Sequence, residues 1–179
     1  MPSRRPTTFR GRAETAAIVV VFVLYAAFLL KLLLLSRAPG SERSINLVPF
    51  ASIGRYASSH SSGAGRVAFA NVVGNVLIFI PLGAYAAWLR QRAAAWSTML
   101  AVASVRVAVE IVQGVLAVGA SDVDDVILNC AGGLLGILAV RLVSAIVREQ
   151  ATTRTVVAVS SLLTAPVWCF FLVVVRLRM

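Results

Sequence analysis

The sequence predicts an all-α integral membrane protein, a bundle of about five transmembrane helices. Hydrophobic residues make up 59% of the 179 residues and charged residues 13%, whereas soluble domains carry about 25% charged residues. The apolar residues form runs of about twenty residues or more, and a helix of that length crosses the hydrocarbon core of a bilayer. Because the chain has too little polar surface to cover a globule, we expect one membrane-embedded domain.

Five apolar runs follow one another along the chain, separated by polar or basic segments. They cover residues 16–35, 67–89, 94–118, 122–147 and 155–175. These runs divide the chain into a basic N-terminal segment (1–15), a main transmembrane domain (16–147, core 45–140) and an additional C-terminal transmembrane helix (148–179). The fifth run contains no carboxylate, so we expect a peripheral helix that mainly packs.

The charge is strongly basic, at +10, and all basic residues except Lys31 are arginines. The arginines are scattered between apolar runs without interleaved aromatic residues, which argues against nucleic-acid binding. Basic flanks of spanning helices explain them, and the predicted partner is the lipid bilayer. If the N-terminus is cytoplasmic, the inner segments hold eight arginines and the outer segments six. We therefore predict a multi-pass protein of the plasma membrane with a cytoplasmic N-terminus.

Polar side chains inside the apolar runs are the candidate functional residues, because carboxylates and amides next to hydrocarbon usually face a protein interior or an aqueous cavity. In the predicted orientation these residues fall within about 10–12 Å of the outer boundary, at 1.5 Å of rise per residue. They therefore predict a polar pocket open to the outer face. The set comprises Asn46, Asn71, Asn75, Glu110, Gln113, Asp122, Asp125 and Asn129.

The residue types suggest roles for this pocket. Glu110, Asp122 and Asp125 are the candidate catalytic residues, as acid, base or oxygen ligands of a divalent cation; no organic cofactor is predicted. The amides of the set are candidate ligand-binding residues. The simpler interpretation is structural: Asp122 or Ser121 caps a helix, the amides join helices, and Glu110 with Gln113 forms an interhelical clamp. Asp124 lies off the helix face that Asp122 and Asp125 share, and we expect it to be solvated.

Several short motifs occur in an order that resembles the VanZ-like family of bacterial membrane proteins. Together they cover roughly residues 45–140. They are Asn46-Leu47-Val48-Pro49-Phe50, Asn71-Val72-Val73-Gly74-Asn75-Val76-Leu77, Phe79-Ile80-Pro81-Leu82-Gly83, Glu110-Ile111-Val112-Gln113, and Asp122-Val123-Asp124-Asp125 with Asn129, Gly132 or Gly133, and Gly136.

The resemblance implies a helical protein of the bacterial cell envelope, acting at the outer face on a lipid-linked cell-wall component or on a glycopeptide. Its namesake is associated with low-level resistance to teicoplanin-type antibiotics. The family commonly has an arginine shortly before the aspartate pair, where this chain reads Val118-Gly119-Ala120-Ser121. Our hypothesis is that Arg106, one turn from Glu110, supplies the compensating positive charge.

Two further functions remain open at this point. One is an integral-membrane hydrolase or transferase that acts on a lipid-linked or polysaccharide substrate through its clustered carboxylates. The other is a structural membrane partner whose polar residues serve only helix packing. The chain contains no nucleophile elbow, phosphate-binding loop or Ser/His/Asp arrangement that would select a familiar enzyme class.

Overall fold

The structure, a computed structural model, describes residues 9–35, 45–46, 48–51, 54, 64–116 and 121–174. Within these ranges, five helices are long and apolar enough to cross a membrane, which confirms the predicted all-α membrane fold. In chain order the elements are α1 (Phe9–Leu35), β1 (Ile45–Asn46), α2 (Ala64–Leu89), α3 (Ala95–Leu116), β2 (Ser121–Asp122), α4 (Val123–Val147) and α5 (Gln150–Val174).

The first helix begins earlier than the apolar run indicates. It starts at Phe9, so residues 9–15 of the basic N-terminal segment are helical, while residues 1–8 lie outside the described part. An Arg10–Glu14 ion pair, 3.0 Å between Nε and Oε1, joins adjacent turns of this extension. Hydropathy does not detect this extension, because it contains the charged residues Arg10, Arg12 and Glu14.

The five helices alternate in direction, so the molecule has two ends. At the polar end, α1, α3 and α5 terminate and α2 and α4 begin; the opposite end is the basic end. A short parallel pairing at the polar end joins Ile45 to Ser121 and Asn46 to Asp122. It fastens the segment that precedes α2 beside the first residues of α4.

Helices α2 and α4 share the most extensive helix–helix contact. A Cβ on Gly132 would overlap the backbone of Val76, and one on Gly136 would overlap the backbone of Ile80. The predicted G-x-x-x-G motif therefore does bring two helix backbones into direct contact.

Helix α5 packs mainly on α1 and makes this contact through aromatic rings. Trp168 stacks on Phe28 with 5.6 Å between ring centroids and meets Tyr25 edge-on at 5.2 Å. Near the polar end, Lys31 donates a hydrogen bond to the Leu172 carbonyl. The outer face of α5 is largely exposed, as expected for a peripheral helix.

Helix α2 continues through Pro81, and α1 bonds to the backbone one residue from the carbonyl that the proline frees. Proline cannot donate the usual bond to the carbonyl four residues earlier, which here is that of Leu77. The buried Tyr25 hydroxyl donates a hydrogen bond of 2.7 Å to the next carbonyl, that of Ile78. This bond joins α1 to α2 close to the proline.

Candidate functional site

Asp122 marks the start of α4 and is its N-cap. Its Oδ1 accepts the Asp124 backbone N–H at 3.0 Å and the Asn46 side-chain amide at 3.0 Å. These bonds confirm the predicted cap. They also make Asn46 and Asp122 one unit that fixes the loop before α2 to the beginning of α4.

Asp124 is not solvated as expected: it is 2% exposed and accepts the Phe50 backbone N–H. Phe50 lies in a turn with φ 64, a conformation that costs a non-glycine residue free energy. The buried carboxylate holds this turn, and it lies in the first helical turn of α4, where the helix dipole favours negative charge. The prediction for Asp124 was wrong because its partner comes from a distant loop.

Asp125 connects α4 to α2. Its Oδ1 accepts the Asn75 amide at 2.8 Å, and the same amide is 3.2 Å from Asn71 Oδ1. Asp125 is 7% exposed, whereas Asn71 is exposed. The predicted shared face of Asn71 and Asn75 is therefore present, and it points at α4.

Arg106 lies beside two carboxylates and is 2% exposed. Its Nη2 contacts Glu110 Oε1 on the same helix and is 3.9 Å from Asp125 Oδ2 on α4. This geometry fits the hypothesis that Arg106 supplies a compensating positive charge beside Glu110 and Asp125. In a low-dielectric interior, such a group compensates carboxylates that would otherwise be very costly to bury.

The three candidate catalytic carboxylates do not converge on one point. Asp122 bonds to Asn46 and the α4 backbone, while Glu110 and Asp125 share Arg106. Across the described residues, no group of three or more Asp, Glu, His or Cys side chains could hold a metal ion. The arrangement thus differs from the three-carboxylate cation site that the sequence suggested.

Gln113 is directed to another neighbour. It is 6% exposed, and its Nε2 donates a 2.6 Å hydrogen bond to the Leu33 carbonyl of α1. The interhelical clamp that we considered for Glu110 with Gln113 therefore forms through Gln113 and joins α3 to α1.

Asn129 lies one helical turn deeper than Asp125 on the same face of α4. It is 0% exposed, and neither its Nδ2 nor its Oδ1 has a hydrogen-bond partner within the described part of the chain. Leaving a buried polar group unsatisfied costs about 1–3 kcal/mol. Such a group is explained by a polar ligand or an ordered water that completes its bonds.

We call the assembled residues of the polar end, without Gln113, the polar cluster. Sequence reasoning found all its members except Asp124, which no local pattern distinguishes from a solvated acid. The cluster consists of Asn46, Asn71, Asn75, Arg106, Glu110, Asp122, Asp124, Asp125 and Asn129.

Comparisons with known proteins agree with this architecture. The family model VanZ/LLP1 matches residues 22–144. The chain is 28% identical over 153 residues to Protein VanZ of Enterococcus faecium, covering 86% of this chain and 87% of that protein. No solved structure matches. The chain is therefore a multi-pass membrane protein that belongs to the VanZ/LLP1 family.

Proposed function

We propose that the polar cluster binds the polar part of a lipid-linked cell-wall component or of a teicoplanin-type glycopeptide at the outer face of the bacterial cell membrane. The proposal assigns the role that the family resemblance implies to particular residues, those of the polar cluster. It makes the chain a binding protein of the cell envelope that contributes to glycopeptide resistance or to precursor handling.

The observation that carries the proposal is the buried amide of Asn129, which has a free donor and a free acceptor within the described structure. An interhelical clamp would use at least one of them, as Gln113 does with Leu33. A ligand with hydroxyl or amide groups would satisfy both, and both candidate ligands are rich in such groups.

The surrounding charges support recognition of a polar ligand. Arg106 is a planar donor next to Asn129's helix, and Glu110 and Asp125 are acceptors close to it. Their burial places these groups in a low dielectric, where hydrogen bonds to a ligand are stronger than in water. Specificity would come from these fixed groups rather than from a mobile loop.

The same geometry favours binding over acid–base catalysis. An acid–base pair needs two carboxyl groups that face the reacting group. Here both Glu110 and Asp125 face one guanidinium, and Asp122 caps a helix.

The proposed orientation has the N-terminus in the cytoplasm, so that the polar end faces outward. The basic end supports it, because Arg10, Arg90, Arg92, Arg148 and Arg154 lie at or near that end of the helices. Arginines are enriched on the cytoplasmic side of membrane proteins.

The test is the variant Asn129→Leu in a deletion strain complemented from a plasmid. Removing an unsatisfied buried amide leaves stability unchanged or raises it, so we expect normal expression and an unchanged thermal midpoint in detergent. We expect teicoplanin susceptibility, or the profile of lipid-linked precursors, to return to that of the deletion strain.

The matched control is Thr98→Val, which removes a buried hydroxyl of α3 away from the polar cluster. It should retain the wild-type phenotype. Full function of Asn129→Leu in both assays would refute a ligand role for the polar cluster.

A further inference from the structure

The basic end contains a second set of polar groups that the proposed function does not use. They line a cavity of about 290 Å³ where the α2–α3 turn, the end of α4 and the start of α5 meet. Its wall contains three arginines, Arg92, Arg141 and Arg148, and one carboxylate, Glu149. The excess of positive charge makes this cavity suited to an anion.

Arg141 gives the cavity a built binding group. Its Nη2 donates to the Ala93 carbonyl at 2.5 Å, which fixes the guanidinium against the α2–α3 turn. Its Nε is buried and has no hydrogen-bond partner among the described residues. Guanidinium groups bind phosphate oxygens through paired N–H donors, so the guanidinium that lines this cavity suits an anion.

The start of α5 adds to this preference. Gln150 and Thr153, in the first turn of the helix, line the same cavity, and the Thr153 N–H and hydroxyl both donate to the Glu149 carbonyl. The first backbone N–H groups of a helix lack intrahelical partners, and the helix dipole places partial positive charge there. Arginines, amide and helix terminus therefore point to a phosphate group.

An apolar groove adjoins the cavity. It has a volume of about 240 Å³, runs between α2, α4 and α5, and is lined mainly by aliphatic side chains with Pro81 and Tyr85. Val140 lines both the groove and the basic cavity. The charged cavity at the basic end and the apolar groove along the helices therefore lie on either side of Val140.

We propose that the cavity and groove together bind one anionic glycerophospholipid, with its phosphate beside Arg141 and one acyl chain along the groove. The adjacency of the two cavities at Val140 favours a lipid over free phosphate, which would occupy only the charged cavity. Basic chambers between membrane helices recognise anionic headgroups by this chemistry. The site lies at the opposite end from the polar cluster and is independent of its function.

The first experiment titrates the full-length protein in detergent with phosphatidylglycerol and, separately, with phosphatidylcholine of the same acyl chains, read by native mass spectrometry. We expect one phosphatidylglycerol to bind at least tenfold more tightly than phosphatidylcholine. Inorganic phosphate and glycerol phosphate at millimolar concentration should neither displace it nor raise the thermal midpoint. Equal binding of both lipids, or full displacement by either small phosphate, would overturn the proposal.

The second experiment uses paired variants. Arg148→Gln removes a charge from the cavity while the α4 C-cap, which is a backbone bond to Ser144, remains. We expect about fivefold weaker phosphatidylglycerol binding, against no change for Arg66→Gln at the other end of α2. Arg92→Gln removes the charge of a second, exposed side chain that lines the cavity, and we expect the same loss of phosphatidylglycerol binding.

The groove is tested separately from the charge. Ala139→Phe fills it, whereas the neighbouring Leu138→Phe enlarges an exposed side chain outside its lining. We expect only Ala139→Phe to weaken lipid binding, again several-fold. Unchanged binding in Ala139→Phe together with Arg148→Gln would show that the lipid lies elsewhere.

Discussion

Two helix pairs hold this protein together in different ways. The α2–α4 pair brings backbone against backbone at Gly132 and Gly136. The α1–α5 pair instead uses rings, with Phe28 stacked on Trp168. Close-packed backbones leave no side chain that can rotate to absorb a change, whereas rings have alternative packings.

The two pairs also differ in the polar contacts that they carry. The α2–α4 pair carries the bond between Asn75 and Asp125, and Arg106 reaches it from α3. The α1–α5 pair carries the Arg154–Glu14 ion pair, 2.9 Å between Nε and Oε2, near the basic end. The contacts of the polar cluster thus centre on the pair whose backbones touch.

The family match covers residues 22–144, which include all of α2 and α3, nearly all of α4 and the part of α1 from residue 22. The backbone-packed pair with its polar cluster therefore lies within the family match, which ends before α5.

The largest expected loss of stability comes from removing the charge of Arg106, which lies beside Asp125 of the α2–α4 pair. Arg106→Leu leaves Glu110 and Asp125 without that partner in the interior, and breaking a buried ion pair costs about 3–5 kcal/mol. We expect a large fall in the thermal midpoint in detergent. Adding Glu110→Gln should recover part of it.

The comparison is Arg154→Leu, which breaks the ion pair of α1 and α5. Arg154 is 25% exposed in its side chain, against 2% for Arg106, so water screens its loss and the midpoint should fall much less. Equal falls for the two variants would contradict the view that burial makes the Arg106 contacts contribute more to stability than the Arg154–Glu14 pair.

A smaller loss of stability is expected when one methyl group is added where the α4 glycines contact the α2 backbone. Gly136→Ala would force apart α2 and α4, because the new Cβ overlaps the Ile80 backbone, and overpacking typically costs about 1–3 kcal/mol. The measurement is the free energy of unfolding in a denaturant titration of the detergent-solubilised protein.

Gly74→Ala on α2 makes the same chemical change where no atom lies within 4 Å of the new Cβ. It should be neutral or stabilising, because alanine is favoured over glycine inside a helix by about 0.5–1 kcal/mol. If Gly136→Ala were as mild as Gly74→Ala, direct backbone contact would not be what holds α2 to α4.

The features that the sequence predicted correctly are those that local spacing determines. Length and apolarity define the spans, the spacing of Gly132 and Gly136 defines a contact face, and Asp122 precedes the fourth apolar run as an N-cap. Asn71 and Asn75 share a face because they are four residues apart.

The features that it missed depend on how distant segments meet. Asp124 is buried because the Phe50 turn lies over it, and Gln113 turns to Leu33 because packing sets the rotation of α3. The arginines were explained as flanks of spanning helices. Only the arrangement of the helix ends shows that Arg92, Arg141 and Arg148 face one cavity.

The smallest expected effect concerns the hydrogen bond that joins the α2–α4 pair to the α1–α5 pair. The Tyr85 hydroxyl of α2 donates to Ser161 Oγ of α5 at 3.0 Å, and both side chains are buried. Side-chain hydrogen bonds between membrane helices contribute about 0.6 kcal/mol on average. A double-mutant cycle with Tyr85→Phe and Ser161→Ala, measured by the same denaturant titration, should give a coupling of about that size. The Ser161 hydroxyl also donates to the Val157 carbonyl at 2.7 Å, so Tyr85→Phe alone leaves no unsatisfied donor, whereas Ser161→Ala alone removes the acceptor of the Tyr85 hydroxyl. A coupling several times larger would mean that the pairs act as one cooperative unit, against the division drawn from their packing.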